Sequence, residues 1–146
     1  MAQSPQSLYN ALIRRSIDLR ALYRDAAAQA QEPGLQVVLD ENAGTLDLLV
    51  SELQEQVRRL HATPTTHGRL GGDARRQLVE WLLPATQRRD DAWIERLAGR
   101  EAALLQAFEQ TIARAPTDMA LVLRRLLPRL QGIHLDMHGL ARARHG

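Results

Sequence analysis

DDAWIERLAGREAALLQAFEQTI, residues 90–112, is the stretch that decides the fold. It contains no proline and one glycine, and its apolar residues stand three, four or seven positions apart, the spacing of one helix face. These residues are Trp93, Leu97, Leu104, Leu105, Phe108 and Ile112. Glu101 interrupts the row near its middle. A carboxylate on the buried face of a bundle helix must be protonated, paired or bound to a metal, so Glu101 is the first candidate site residue.

Outward from this stretch, the pattern predicts three further long helices and one short one. Ser4 and Pro5 read as an N-cap followed by proline at the first helical position, and Pro33-Gly34 separates the first two helices. The predicted helices cover about residues 5–31, 35–61, 74–83, 90–114 and 118–142, the third of them short.

About thirty residues separate the second and third long helices, and they begin with the loop-like sequence ATPTTHGRLGG at residues 62–72. A connection of that length suits a crossover between parallel helices, as in ferritin-like bundles. Two helical hairpins joined by a linker are the alternative. The prediction is one all-α domain over residues 1–146, a ferritin-like up-down four-helix bundle with a short extra helix in the crossover.

Composition excludes several kinds of chemistry. The 146 residues include no cysteine and no lysine, so disulfides, thiol catalysis and Schiff bases are excluded. All 19 basic residues are arginines, dispersed among 17 acids for a net charge of +2. This dispersal favours solvated helix faces over a nucleic-acid patch. With no secretory signal pattern and no run of about 18 apolar residues, we expect a cytoplasmic protein with neither a nucleic acid nor a membrane as its partner.

Two segments and one histidine carry a resemblance to a bacterial domain-of-unknown-function family of ferritin-like four-helix bundles. LYRDAA at 22–27 is similar to the family's first-helix segment GYREAA, and AGREAALLQAFEQ at 98–110 is similar to its third-helix segment ERGEDAAVKAYEEAL. His134 matches a histidine of the family's fourth helix. The resemblance spans about residues 7–142 and implies a ferritin-like fold.

Di-metal proteins of ferritin-like fold use a Glu on each of two helices and Glu-x-x-His on each of the other two. The chain has no Glu-x-x-His, and the resemblance places Arg20 where the first-helix acid would stand. A guanidinium cannot ligate a cation, so no cofactor is expected and a di-metal centre is only an alternative. The weak metal candidates are Asp25, Glu101 and His134 as a relic site, and His134 with His138, one helical turn apart.

The other hypothesis for Glu101 is a core ion pair with an arginine of the first helix. Arg20 and Arg24 are the two candidates, because a guanidinium can satisfy both oxygens of a carboxylate.

No catalytic constellation is recognisable, so the sequence favours a non-catalytic bundle rather than an enzyme. Such a protein acts by association, as a homo-oligomer with a dimer favoured, or through contact with another protein. Two alternatives stay open. One is a metal-binding or redox bundle with an eroded site, and the other is an arginine-rich binder of nucleic acid or a membrane surface.

Overall fold

The computed structural model describes residues 3–69 and 89–145. Over these residues it contains four long α-helices and no strand, which confirms the predicted all-α class. The helices are α1 (Pro5–Gln29), α2 (Pro33–Arg59), α3 (Arg89–Arg114) and α4 (Thr117–His145). The short helix predicted at 74–83 lies outside the described residues.

The helix ends follow local sequence signals. The backbone N–H of Ser7 donates to the side chain of Ser4, which caps α1, and Pro5 follows at the first helical position. Helix α2 begins at Pro33, two residues earlier than predicted, because proline is well suited to a first turn. After α2 the chain turns at His61, whose φ of 60° is left-handed, and its N–H donates to the carbonyl of Arg58.

The direction of α3 is fixed by one contact at its start. The backbone N–H groups of Gln31 and Glu32, between α1 and α2, donate to the carboxylate of Asp90 over 2.8 and 3.1 Å. Helix α3 therefore begins at the end of the bundle where α1 stops and α2 starts. It runs antiparallel to α1 and parallel to α2, so the connection is a crossover along the bundle and the two-hairpin alternative is wrong.

The crossover begins by returning alongside α1. The N–H of Thr65 donates to the side chain of Asn10, and the N–H of Arg69 donates to the carboxylate of Asp18 over 2.8 Å. A Cβ at Gly68 would overlap the carboxylate of Asp18, so a larger residue there would have to displace that side chain.

Helix α4 is joined to α3 by a two-residue turn and lies beside α2, to which it is antiparallel. Arg129 and Glu52 form an ion pair of 2.7 Å between these two helices. The helix continues through Pro128, which is exposed.

The core lies between the four helices and contains most of the row predicted for α3. Trp93, Leu97 and Phe108 have no exposed surface, Leu104 is also buried, and Leu105 and Ile112 are half-buried. None of the described helices is both long and apolar enough to cross a lipid bilayer.

Candidate functional site

Glu101 lies near the middle of α3, and its side chain has no exposed surface. Its Oε2 atom is 2.6 Å from Nδ1 of His134 on α4, a short hydrogen bond between the third and fourth helices. The side chain of His134 is 37% exposed, so this pair connects the core to the surface. The ring of His138 stacks on that of His134, with 5.8 Å between their centroids.

The second oxygen of the Glu101 carboxylate, Oε1, lacks a hydrogen bond. This atom is buried, and the buried hydroxyl of Tyr23 also has no hydrogen-bond partner. Burial raises the pKa of Glu101, while the hydrogen bond and charge of His134 act in the opposite direction. Burial, followed by the negative charges of Glu101 and Asp136, raises the pKa of Tyr23. Burial at this site therefore favours the protonated, neutral forms of Glu101 and Tyr23.

The predicted pairing of Glu101 with Arg20 or Arg24 is wrong. Both arginines instead approach Oδ1 of Asp47 on α2, at 2.7 and 3.5 Å respectively. The physical reason is the direction of the side chains: the α1 arginines point along the α1–α2 contact, whereas Glu101 points from α3 towards α4.

The metal candidates come together only in part. His134 contacts both Glu101 and His138. The described residues, Asp25 among them, contain no group of three or more His, Asp or Glu side chains arranged to hold a metal ion. This donor set does not fit a di-metal centre, which needs carboxylates from all four helices.

A groove of about 240 Å³ lies between α1, α3 and the start of the crossover. Leu19, Leu22 and Leu104 form its apolar side. Its polar residues are Arg15, Asp18, Arg69 and Arg100.

Exposed apolar residues are concentrated on one pair of helices. Across residues 3–69 and 89–143, five large apolar side chains are strongly exposed, and all belong to α2, to its C-cap or to α4. They are Val37 (56%), Leu48 (60%), Leu60 (45%), Leu121 (57%) and Leu135 (71%). Leu121 and Leu135 share with Pro128 a seven-residue spacing along the outer side of α4, opposite its core residues.

Sequence reasoning missed the partners of two aspartates, Asp90 and Asp47. The two aspartates at 90 and 91 indicate a helix start, but not that Asp90 accepts from the N–H groups of a different turn. Asp47 carries no distinguishing pattern at all. The exposure of Leu121 and Leu135 could have been found, since both fall on the polar side of the α4 helical wheel.

Comparison with known proteins places this bundle in a family. Residues 6–114 match the family described as a domain of unknown function, DUF2383. The chain belongs to this family. No curated protein matches the chain.

Among solved structures, the DUF2383 chain is similar to the X-ray structure of Dps from Thermosynechococcus elongatus, with a TM-score of 0.73 and 12% sequence identity. The match covers 93% of this chain and 88% of the Dps chain. At this identity the similarity shows the fold alone. It confirms the predicted ferritin-like four-helix bundle, and the family match confirms the resemblance to a ferritin-like family of unknown function.

Proposed function

We propose that this DUF2383 protein is a non-catalytic helical bundle that acts through self-association. The observation that carries the proposal is that all five strongly exposed large apolar side chains of the described residues belong to α2, to its C-cap or to α4. Exposed apolar side chains are where a soluble protein can contact a partner, and here those of the described residues are confined to one pair of helices and a cap. The cytoplasmic location expected from the sequence stays a prediction.

Burying these side chains against a partner would contribute favourably to the free energy of association. Each fully buried leucine contributes roughly 1.5–3 kcal/mol. Four exposed leucines therefore offer several kcal/mol towards the cost of association.

The mass of the untagged protein in solution, measured by light scattering over a range of concentrations, tests the proposal. We expect an oligomer, and Leu135→Glu, at the most exposed of the five positions, should lower the mass to one chain. Ala102→Glu is the matched control, because Ala102 is exposed on α3, a helix that carries none of the five exposed apolar residues. A wild-type protein that stays a single chain at every concentration would contradict the proposal.

The eroded metal site is the second candidate, and the unpartnered Oε1 atom of Glu101 is the observation in its favour. A buried carboxylate oxygen beside an imidazole is a possible donor to a single divalent ion. Metal analysis of untagged protein tests this candidate. Stoichiometric metal that is lost in Glu101→Ala would favour it, and metal-free protein would rule it out.

A further inference from the structure

The groove between α1, α3 and the start of the crossover is lined in the same way by both helices. Arg15 precedes Leu19 by four residues on α1, and Arg100 precedes Leu104 by four residues on α3. Residues four apart lie on the same face of a helix, one turn from each other. Each helix therefore lines the groove with a buried leucine and, one turn before it, an exposed arginine.

The groove carries an excess of positive charge. Arg69, in the crossover, lines it together with Arg15 and Arg100. None of these three arginines forms an ion pair within residues 3–69 and 89–145. The acid among the described residues that line the groove is Asp18, whose carboxylate accepts from the backbone N–H of Arg69 over 2.8 Å. Three arginines beside one aspartate give the groove a charge that attracts anions.

The apolar side of the groove is held in place by the core. Leu19, Leu22 and Leu104 are no more than 3% exposed, and all three belong to the continuous core of the bundle. Ala103, which is exposed, also lines the groove. The volume of about 240 Å³ holds about eight groups of the size of a water molecule. The groove therefore has room for a short hydrocarbon that carries one charged group.

We propose that this groove binds a small organic oxyanion, a carboxylate or a phosphate ester that carries a short hydrocarbon part. The arginines recognise the oxyanion, because the planar fork of a guanidinium pairs with two oxygens of a carboxylate or a phosphate at once. The hydrocarbon part lies against the leucines, where its apolar surface is removed from water. An apolar wall with a few polar groups that fix the orientation of the ligand is the common pattern of small-molecule sites.

This site goes beyond the proposed self-association and does not depend on it. None of the five strongly exposed apolar side chains of the described residues lies on α1 or α3, the two helices that form the groove. Binding of the anion is therefore expected whether the protein is a single chain or an oligomer.

NMR titration of the isotope-labelled protein with hexanoate and, separately, with hexyl phosphate tests the site. We expect saturable shifts of the backbone amide signals of Leu19, Arg69 and Ala103. The affinity should be about tenfold or more above that of the matching anion without a hydrocarbon part, acetate or inorganic phosphate, and above that of uncharged 1-hexanol. Binding of hexanoate alone would identify a carboxylate site, and binding of hexyl phosphate alone would identify a phosphate-ester site.

Two variants connect this binding to the groove. Arg15→Gln combined with Arg100→Gln removes two of the guanidinium groups and should weaken anion binding by about tenfold or more. Its matched control, Arg14→Gln combined with Arg114→Gln, removes the same charge from exposed positions of the same helices outside the groove. Ala103→Phe fills the groove from an exposed position, so it should abolish binding and leave the amide signals away from the groove unchanged.

Three results would overturn the proposal. The first is a wild-type spectrum that changes with neither hexanoate nor hexyl phosphate. The second is an affinity no higher than that of 1-hexanol or of the anion without a hydrocarbon part, because the groove would then recognise only one half of the ligand. The third is equal weakening by the groove variant and its matched control, which would show a response to overall charge rather than to this site.

Discussion

Glu101 is a carboxylic acid without exposed surface, held by one hydrogen bond with a half-exposed histidine. Burial raises its pKa above the ordinary carboxyl value. The folded protein therefore keeps this proton over a pH range in which the unfolded chain has lost it. The stabilising contribution of Glu101 is complete below its unfolded pKa of about 4.3, and it is lost as the pH rises through the raised folded pKa.

Glu101→Gln removes this titration while keeping the shape of the side chain. We expect the unfolding free energy of the variant, relative to wild type, to increase with pH across that window, by up to about 1.4 kcal/mol for each pH unit. Urea denaturation at a series of pH values measures the difference. Glu109→Gln, at an exposed position of the same helix, should show no such trend. A difference between Glu101→Gln and wild type that does not change with pH would contradict the role given to burial.

At the scale of one element, the position of α3 depends on the hydrogen bonds that Asp90, in its first turn, accepts from the α1–α2 turn. Asp90 is 8% exposed, and its two carboxylate oxygens accept from the N–H groups of Gln31 and Glu32. Asp90→Asn replaces one acceptor oxygen with a donor NH₂ group, which leaves a backbone N–H without its partner. We expect a loss of about 1–3 kcal/mol in unfolding free energy, measured by denaturant titration.

The matched control for Asp90→Asn is Asp118→Asn, in the exposed first turn of α4. It removes only a favourable interaction with the helix dipole, so its cost should stay below about 1 kcal/mol. Equal costs for the two variants would show that the contact between Asp90 and the α1–α2 turn does not stabilise the fold.

The inner side of α3 provides a second test at this scale. Phe108 has no exposed surface and lies in the continuous core. Phe108→Ala should lower the unfolding free energy by about 3–5 kcal/mol, the range for a buried phenylalanine. Ala103, exposed on the same helix, gives the control substitution Ala103→Ser, which should have little effect. A thermal midpoint for Phe108→Ala equal to that of wild type would contradict the burial of this row.

The helices could be predicted from sequence because their signals are local. Apolar spacing predicted the buried side of α3, Pro5 predicted the start of α1, and Pro33 and Gly34 predicted the α1–α2 turn to within about two residues. The partners of charged side chains could not be predicted in the same way. Glu101 was correctly expected to be buried, but its choice of His134 over Arg20 depends on the angle at which each helix packs. Periodicity carries no information about that angle.

For the whole molecule, the arginine content raises the question of nucleic-acid binding. The net charge is only +2, and several arginines are engaged by acids, among them Arg20 with Asp47 and Arg129 with Glu52. Affinity for duplex DNA grows with the number of phosphates that a protein neutralises at once, and each such contact weakens as salt rises.

We therefore expect no tight binding to duplex DNA at about 150 mM salt, measured by fluorescence anisotropy with two unrelated sequences. Any weak binding at low salt should be the same for both sequences and should disappear as salt is added, since it would come from counterion release alone. Arg124→Glu combined with Arg125→Glu, at exposed positions of α4, should remove that residual binding. A complex that survives at about 150 mM salt and prefers one sequence would contradict the association proposal and favour the nucleic-acid alternative, because dispersed and paired arginines cannot produce it.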